Sequence, residues 1–381
     1  MLHYKFIVQF FAIYGFLTLF CVMHISQLNL IGFKNYDQAT FLFTPTVNCI
    51  VGPNGTGKTN ILDAVHYLCF TKSFLNVIDT QNIKHHEPFF VIEGIFQRQE
   101  QEEHIFCGLK RGAKKQFKRN KKDYERFSDH IGFLPAVVIA PSDIQLLIGG
   151  SDERRKLIDT LISQYNHKYL SELISYNRIL MQRNAYLKKA FETRRFDDEA
   201  IGVYNLQLAD YGQTIYEIRK SFLDDFIPVF EQSYGFISAQ TEKVNLSYQS
   251  GLHKQNMLES FEESIEKDRL LQYTTTGVHK DDLLFELNGY PVRKFGSQGQ
   301  QKTYLIALKI AEHEYLKKKM GFSPILLLDD IFDKLDASRA ELLIKKVSEP
   351  LFGQVIITDT GKEKLSTIFS KFGVSAHFIN T

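Results

Sequence analysis

Residues 52–59 read Gly-Pro-Asn-Gly-Thr-Gly-Lys-Thr, which satisfies G-x-x-x-x-G-K-[S/T], and no other stretch so narrows what this chain can fold into. The glycines let the backbone turn its N–H groups inward around a polyphosphate. Lys58 reaches the β and γ phosphates, and the Thr59 hydroxyl suits a Mg²⁺ ion. Such a loop works only between a strand and a helix. A β-rich segment ends at Val51, and Ile61, Leu62, Val65 and Leu68 make a 3.6-period stripe on a helix opening near Lys58. Gly52, Pro53, Asn54, Gly55, Thr56, Gly57, Lys58 and Thr59 are therefore the expected contacts of ATP phosphates.

A phosphate loop needs a second acid for its metal. Ile325-Leu326-Leu327-Leu328-Asp329-Asp330 ends an all-apolar run, the form of a buried parallel strand, on two carboxylates. Asp329 joins Thr59 as the expected Mg²⁺ residue. Asp330 is placed to orient or deprotonate the attacking water. Ser297, Gln298, Gly299 and Gln300 open a helix 28 residues before that strand, and Lys334-Leu335-Asp336 follow it. That order resembles the signature motif and D-loop of ABC-type ATPases, with Ser297–Gln300 contacting ATP in trans and Asp336 as the D-loop acid.

Composition fits a soluble α/β chain. The 381 residues carry 46 Lys+Arg against 44 Asp+Glu, a net charge of +2, so any nucleic-acid site must come from local clustering. Cys21, Cys49, Cys69 and Cys107 lack metal-ligand spacing and are too sparse for a disulfide scaffold, which points to a reducing cytoplasm. Residues 6–23 are apolar and uncharged; the plainest account is an upstream start codon with Met23 as the true beginning, and a membrane anchor is the alternative. Segments 24–33 and 39–51 read as strands, as do FVIEGIF, AVVIA, 243–248, 283–287 and 355–357. After Gly149-Gly150 the pattern turns helical, with Ser151 as the expected N-cap and Asp152 and Glu153 in the first turn. Ile201, Tyr204, Leu208, Tyr211, Ile215, Ile218 and Phe222 fall at alternating spacings of 3 and 4, which suits either a heptad seam or an ordinary bundle helix. The expected organisation is an N-terminal extension over 1–22, an ATPase head over 23–150, an inserted helical domain over 151–240, and the rest of the head over 241–381.

The chain resembles the RecF family, ABC/SMC-like recombination mediators of bacteria, from Met23 almost to its end. The matching stretches are IGFKNY (31–36), GPNGTGKTNILDAVHYL (52–68), APSDIQLLIGGSDERRKLID (140–159), YNRILMQRNAYLK (176–188), GVHKDDLLFELNG (277–289), GSQGQQKTYLIALKIAE (296–312) and LLLDDIFDKLD (326–336). The resemblance implies a P-loop ABC/SMC-like ATPase head with an inserted, mostly helical second domain. It further implies ATP and Mg²⁺ as cofactors, ATP-dependent homodimerisation, DNA binding at gaps or junctions, and RecO and RecR as partners in recombinase loading. One phosphate loop and one signature per chain would face different ATP molecules, so two copies complete two sites head to tail. Two departures stand out. Val355-Ile356-Ile357 runs into Thr358-Asp359-Thr360 where ABC ATPases carry a switch histidine, and the shorter Asp330 replaces the usual catalytic Glu. Slow hydrolysis used as a switch is the expectation. Gln81 is the candidate Q-loop glutamine.

For DNA, Lys110, Arg111, Lys114, Lys115, Lys118, Arg119, Lys121, Lys122 and Arg126 set nine basic residues against Asp123 and Glu125. Such density neutralises phosphates without reading sequence. Arg154, Arg155, Arg178 and Arg183 are secondary candidates. His85-His86-Glu87 reads as a surface turn rather than a metal site. His279-Lys280-Asp281-Asp282 matches the family pattern without an evident chemical role. Two other functions compete: the nucleotide-binding subunit of an ABC transporter, and an ATP-sensing scaffold that does not bind DNA.

Overall fold

The strand before the phosphate loop and the helix after it are central to the first of two compact units. The computed structural model describes residues 23–238, 242–332, 337–349 and 352–381. In chain order the elements are β1 (His24–Phe33), β2 (Tyr36–Leu42), β3 (Val47–Val51), α1 (Lys58–Phe70), β4 (Phe89–Arg98), β5 (Gln101–Lys110), β6 (Gln116–Arg119), β7 (Lys122–Asp123) and β8 (Ala136–Ile139). Then come α2 (Gln145–Ile148), α3 (Ser151–Tyr165), α4 (His167–Thr193), α5 (Asp198–Ser238), β9 (Val244–Gln249), α6 (Met257–Leu271), β10 (Asp282–Leu287), β11 (Tyr290–Pro291) and α7 (Val292–Phe295). The chain ends with α8 (Gln298–Met320), β12 (Ile325–Asp329), α9 (Ala337–Val347), β13 (Val355–Asp359), α10 (Lys362–Lys371) and β14 (Ala376–Asn380). One unit takes the residues up to Asp143 with Ile306–Thr381, the other Ile144–Leu305.

In the first unit a five-stranded parallel sheet runs β14-β3-β13-β12-β8, and a six-stranded antiparallel sheet runs β2-β1-β4-β5-β6-β7. Every residue of β3, β12 and β13 is buried, as strands covered on both faces require. Helix α1 packs on strands of both sheets. Its Ile61, Leu62, Val65 and Leu68 join Leu28, Ile92, Ile105, Leu327 and Ile356 in one core. Each such side chain contributes on the order of 1.5–3 kcal/mol. Gln354, wholly buried, ties the sheets: its amide donates to the carbonyls of Ile25 and Thr44 at 2.8 Å and accepts from the Ile25 N–H at 2.9 Å.

The segment 39–51 is two strands in two sheets, not one. Pro45 has no N–H to give a ladder, and the Asn48 side chain folds the chain back by accepting from Thr44 N at 2.8 Å and donating to Thr44 O at 2.9 Å. The chain thus leaves the antiparallel sheet after β2 and enters the parallel one at β3.

In the second unit α4 and α5 form a helical hairpin. Ile201, Leu208, Ile215 and Phe222 are buried, while Tyr204, Tyr211 and Ile218 are half-buried. Gly212, Tyr216 and Arg219 widen the buried face beyond a two-position seam, so α5 is a bundle helix. At Gly212 a Cβ would lie 2.3 Å from the Met257 sulfur, so a side chain there would have to push the Met257 thioether aside where α6 meets α5. Ser151 is the first residue of α3 rather than its N-cap; Gly150 holds that position without a side-chain bond. Among the described residues, strands β9, β10 and β11 pair only with one another. They cluster with the inserted helices, so this unit is larger than the helical stretch 151–240. Among the described residues no helix is long and apolar enough to cross a membrane, and residues 1–22 lie outside them.

Candidate functional site

Parallel strands present ligands at their carboxyl ends, and β3, β12 and β13 bring the motif residues of the first unit there. Strand β3 runs into Gly52, and Gly55 and Gly57 adopt left-handed backbone at φ 83° and 102°. At Gly57 a Cβ would also lie 2.4 Å from the Asn35 amide. That amide donates to Thr56 O at 2.9 Å, and Asn60 donates back to Asn35 at 2.7 Å. Asn35 thus buttresses the loop from the β1–β2 turn. The Thr56 hydroxyl meets the Thr381 hydroxyl at 2.8 Å, and Thr381 N donates to Val51 O at 3.0 Å. Sequence reading missed both braces, since neither Asn35 nor Thr381 carries a phosphate-loop signature of its own.

The Lys58 ammonium donates to the carbonyls of Gly52 and Pro53 at 2.8 Å each, which holds it across the loop. Thr59, one residue on, donates its hydroxyl to Asp329 Oδ1 at 2.8 Å across 270 positions of sequence. The two motifs therefore converge. Burial raises the Asp329 carboxyl above its ordinary pKa, opposed by the hydroxyls of Thr59 and Thr358. Thr358, on β13, donates to the same Oδ1 at 2.8 Å. Asp330 follows in left-handed backbone at φ 49°, and its buried Oδ1 has no hydrogen-bond partner among the described residues. A hydroxyl beside a carboxylate is a hard oxygen set that suits Mg²⁺ completed by phosphate oxygens.

In the second unit, Ser297 caps α8 in a reciprocal box: its hydroxyl accepts from Gln300 N at 3.3 Å, and Gln300 Oε1 accepts from Ser297 N at 2.7 Å. The Gln300 amide donates to Glu242 at 2.6 Å, while Ser297 and Gln298 are exposed. Asp336 lies outside the described residues. Gln81 sits exposed in a 3-10 turn, Asp79–Asn82, after α1.

The basic segment forms β6, β7 and their turns, and the structure sorts its cations. Lys115 pairs with Asp79 at 2.7 Å and donates to Thr71 O, and Arg119 grips Glu103 with two bonds of 2.8 and 2.6 Å. The Arg119 pair holds the Glu103 carboxyl below its usual range. Both cations are committed to partners within the protein, Lys115 largely covered and Arg119 still partly exposed. Lys110, Arg111, Lys114, Lys121, Lys122 and Arg126 are exposed, and Lys118 is half-exposed beside Asp123 at 3.6 Å. Of the secondary candidates, Arg154 grips Asp282 at 2.6 and 2.9 Å, and Arg183 is wholly buried against Asp268 at 2.7 Å. Arg155 donates to Asp281 O, leaving Arg178 exposed. The His279–Asp282 motif is thereby explained as architecture. His279 bonds Tyr176, Asp281 bonds Arg219 and Tyr248, and Asp282 bonds Arg154. His85 and His86 are exposed in a turn, and no cluster able to hold a metal occurs among the described residues.

Residues 24–377 match the RecF/RecN/SMC N terminal domain family. The chain is 48% identical over 346 residues to the DNA replication and repair protein RecF of Flavobacterium johnsoniae, covering 91% of this chain and 96% of that one. It is 49% identical over 351 residues to the RecF of Phocaeicola vulgatus, covering 92% and 94%. A solved structure of the recombination mediator protein RecF-ATPrS in the RecFOR pathway superposes with a TM-score of 0.84 at 28% identity, covering 94% of this chain and 96% of that one. An Smc head domain from Pyrococcus furiosus shares the fold at a TM-score of 0.54 and 17% identity.

Proposed function

The chain belongs to the RecF family of DNA replication and repair proteins, and from that premise we propose that it is an ATP- and Mg²⁺-dependent switch that dimerises on DNA. The observation that carries the reading is the 2.8 Å bond between Thr59 and Asp329, which joins the phosphate loop to the acid strand. Gly52–Thr59 bind the triphosphate and Lys58 neutralises its terminal phosphates. Thr59 and Asp329 hold Mg²⁺, which when bound offsets charge on the β and γ oxygens. Asp330 orients the attacking water. Its shorter reach than Glu, and its left-handed backbone, suit slow turnover.

The capped turn Ser297–Gln300 of one copy serves the nucleotide of the other, and Asp336 is the D-loop acid. ATP then favours the dimer by mass action, and hydrolysis releases it. Lys110, Arg111, Lys114, Lys118, Lys121 and Lys122 contact DNA phosphates. The solved relative named for the RecFOR pathway supports RecO and RecR as partners, and the site of action is the cytoplasm. Light scattering with DNA anisotropy tests the reading on the full chain, with Lys58→Met and Ser297→Arg. ATP and Mg²⁺ should dimerise only the unaltered protein and raise its DNA affinity. A monomer whose DNA binding ignores ATP would refute the composite site.

A further inference from the structure

Where ABC ATPases carry a switch histidine this chain has Thr358-Asp359-Thr360, at the carboxyl end of β13, and the structure shows what Thr358 does there. Strands β12 and β13 pair in parallel with Asp329 beside Thr358. The Thr358 hydroxyl, wholly buried, donates its one proton to Asp329 Oδ1 at 2.8 Å and accepts from the Asp330 N–H at 3.0 Å. The Thr358 carbonyl also accepts from Asp330 N at 3.3 Å. One side chain thus touches both acids, each by a different mechanism: a side-chain bond to the first and a backbone bond to the second.

The backbone bond has a structural consequence. Asp330 is non-glycine at φ 49°, a conformation that persists only where surrounding contacts impose it. With its N–H drawn back to β13, the chain leaves β12 turned, and that turn decides where the Asp330 carboxylate points. The side-chain bond matters separately. Asp329 Oδ1 accepts from both Thr59 and Thr358, so when the Thr59 oxygen serves a cation, the Thr358 hydroxyl still fixes the carboxylate.

We propose that Thr358 is a positioning residue that locks the metal-binding acid and the water-orienting acid into one arrangement, in place of a switch histidine. This rests on the ATPase reading above. In the step it serves, the water oxygen bonds the γ-phosphorus as the bond to the β–γ bridging oxygen breaks. The water proton passes to the Asp330 carboxylate and on to solvent, and ADP leaves with inorganic phosphate.

The test compares the unaltered full chain with Thr358→Val, which keeps the shape without the hydroxyl, with Thr358→Ser, which keeps the hydroxyl, and with Thr358→Ala. The readouts are kcat and KM for ATP, Mn²⁺ affinity of the nucleotide complex by paramagnetic resonance, fluorescent-ATP affinity in EDTA, and the melting midpoint without ligand. Loss of a supporting hydroxyl beside a metal acid is expected to lower kcat and Mn²⁺ affinity roughly 10- to 100-fold in Thr358→Val. Nucleotide affinity in EDTA should hold, and Thr358→Ser should restore both losses. A folding role alone would lower the midpoints of Val and Ala without a selective loss in kcat or Mn²⁺ affinity, and that result overturns the proposal. Should Thr358→Val fail to fold, Thr358→Ala against Thr358→Ser decides the same question. If the unaltered protein binds fluorescent ATP yet never hydrolyses it, the ATPase reading fails, and the proposal falls with it.

Discussion

Each unit buries a charged cluster, and the two are built to opposite ends. In the second unit Arg219 donates to Asp159 at 2.8 Å, Asp281 at 3.1 Å, Tyr169 at 2.9 Å and Val278 O at 2.8 Å. Its donors are spent on fixed partners. In the first unit Asp329 is buried against two hydroxyls, with its carboxyl raised by desolvation, while Asp330 keeps one oxygen unpartnered among the described residues. A saturated cluster specifies structure; a cluster with spare acceptors beside a glycine nest has what a ligand site requires. Both lie under sequence motifs, so a motif alone does not separate them.

Removing the cation from the saturated cluster should give the largest effect. Arg219→Met leaves the buried Asp281 and the half-buried Asp159 without their counter-charge, which destabilises by about 3–5 kcal/mol. Urea unfolding, with hydrogen exchange followed in α4, measures it. A loss below about 1 kcal/mol would show that water or the neighbouring tyrosines already satisfy those acids, and the contrast between the clusters would collapse.

Acid should separate the units by a smaller step. Burial depresses the imidazoles of His66 and His130 to about 4 and of His313 to about 3, all in the first unit. Folded chains then bind fewer protons than unfolded ones below about pH 6.5, so each histidine's contribution is complete above that pH and lost as pH falls toward 4. Glu312 works the other way: burial raises it to about 7, so its protonation favours the folded state between pH 7 and 4.5. Burial also raises Asp329 in the first unit and Asp281 in the second, one carboxyl in each, so the difference between the units rests on the histidines and Glu312: three against one in the first unit, and His279 alone, held at about 4, in the second. At about 1.4 kcal/mol per pH unit for each, α1 should lose exchange protection before α4 between pH 6.5 and 4.5, after correction for intrinsic rates. Equal loss in both helices would mean that the units unfold together.

How far the sequence foretold this structure follows the same division. The phosphate loop, the acid strand and their α/β setting were legible because each motif is local and its period matches its element. That Thr59 and Asp329 touch follows from parallel strand order, which the motifs imply. Thr358 and Asn35 were not legible as contributors, because they act through a neighbouring strand and a neighbouring turn. The break within 39–51 was marked in the sequence only by Pro45; that Asn48 folds the chain back there needs the structure. The extent of the second unit was hidden too, since β9–β11 look like any strands until their pairing is known. Arg154 and Arg183 read as surface cations because burial of an arginine depends on a partner more than 80 residues away.

The basic hairpin gives the smallest expected change in stability and the sharpest division among like residues. Lys121 and Lys122 are exposed at the β6–β7 turn and form no ion pair among the described contacts. Replacing both by Ala should leave stability within about 0.5 kcal/mol. If they neutralise DNA phosphates, the slope of log affinity against log salt should fall by about 0.9 for each, nearly two in all. Lys115 should behave in reverse. Its ammonium is held by Asp79, Thr71 O and the Tyr67 hydroxyl, so Lys115→Ala should lower the melting midpoint and leave the slope unchanged. A slope that responds equally to all three lysines would mean that the hairpin rearranges on DNA and frees its inner cation. A slope that responds to none would move the DNA surface elsewhere on the protein.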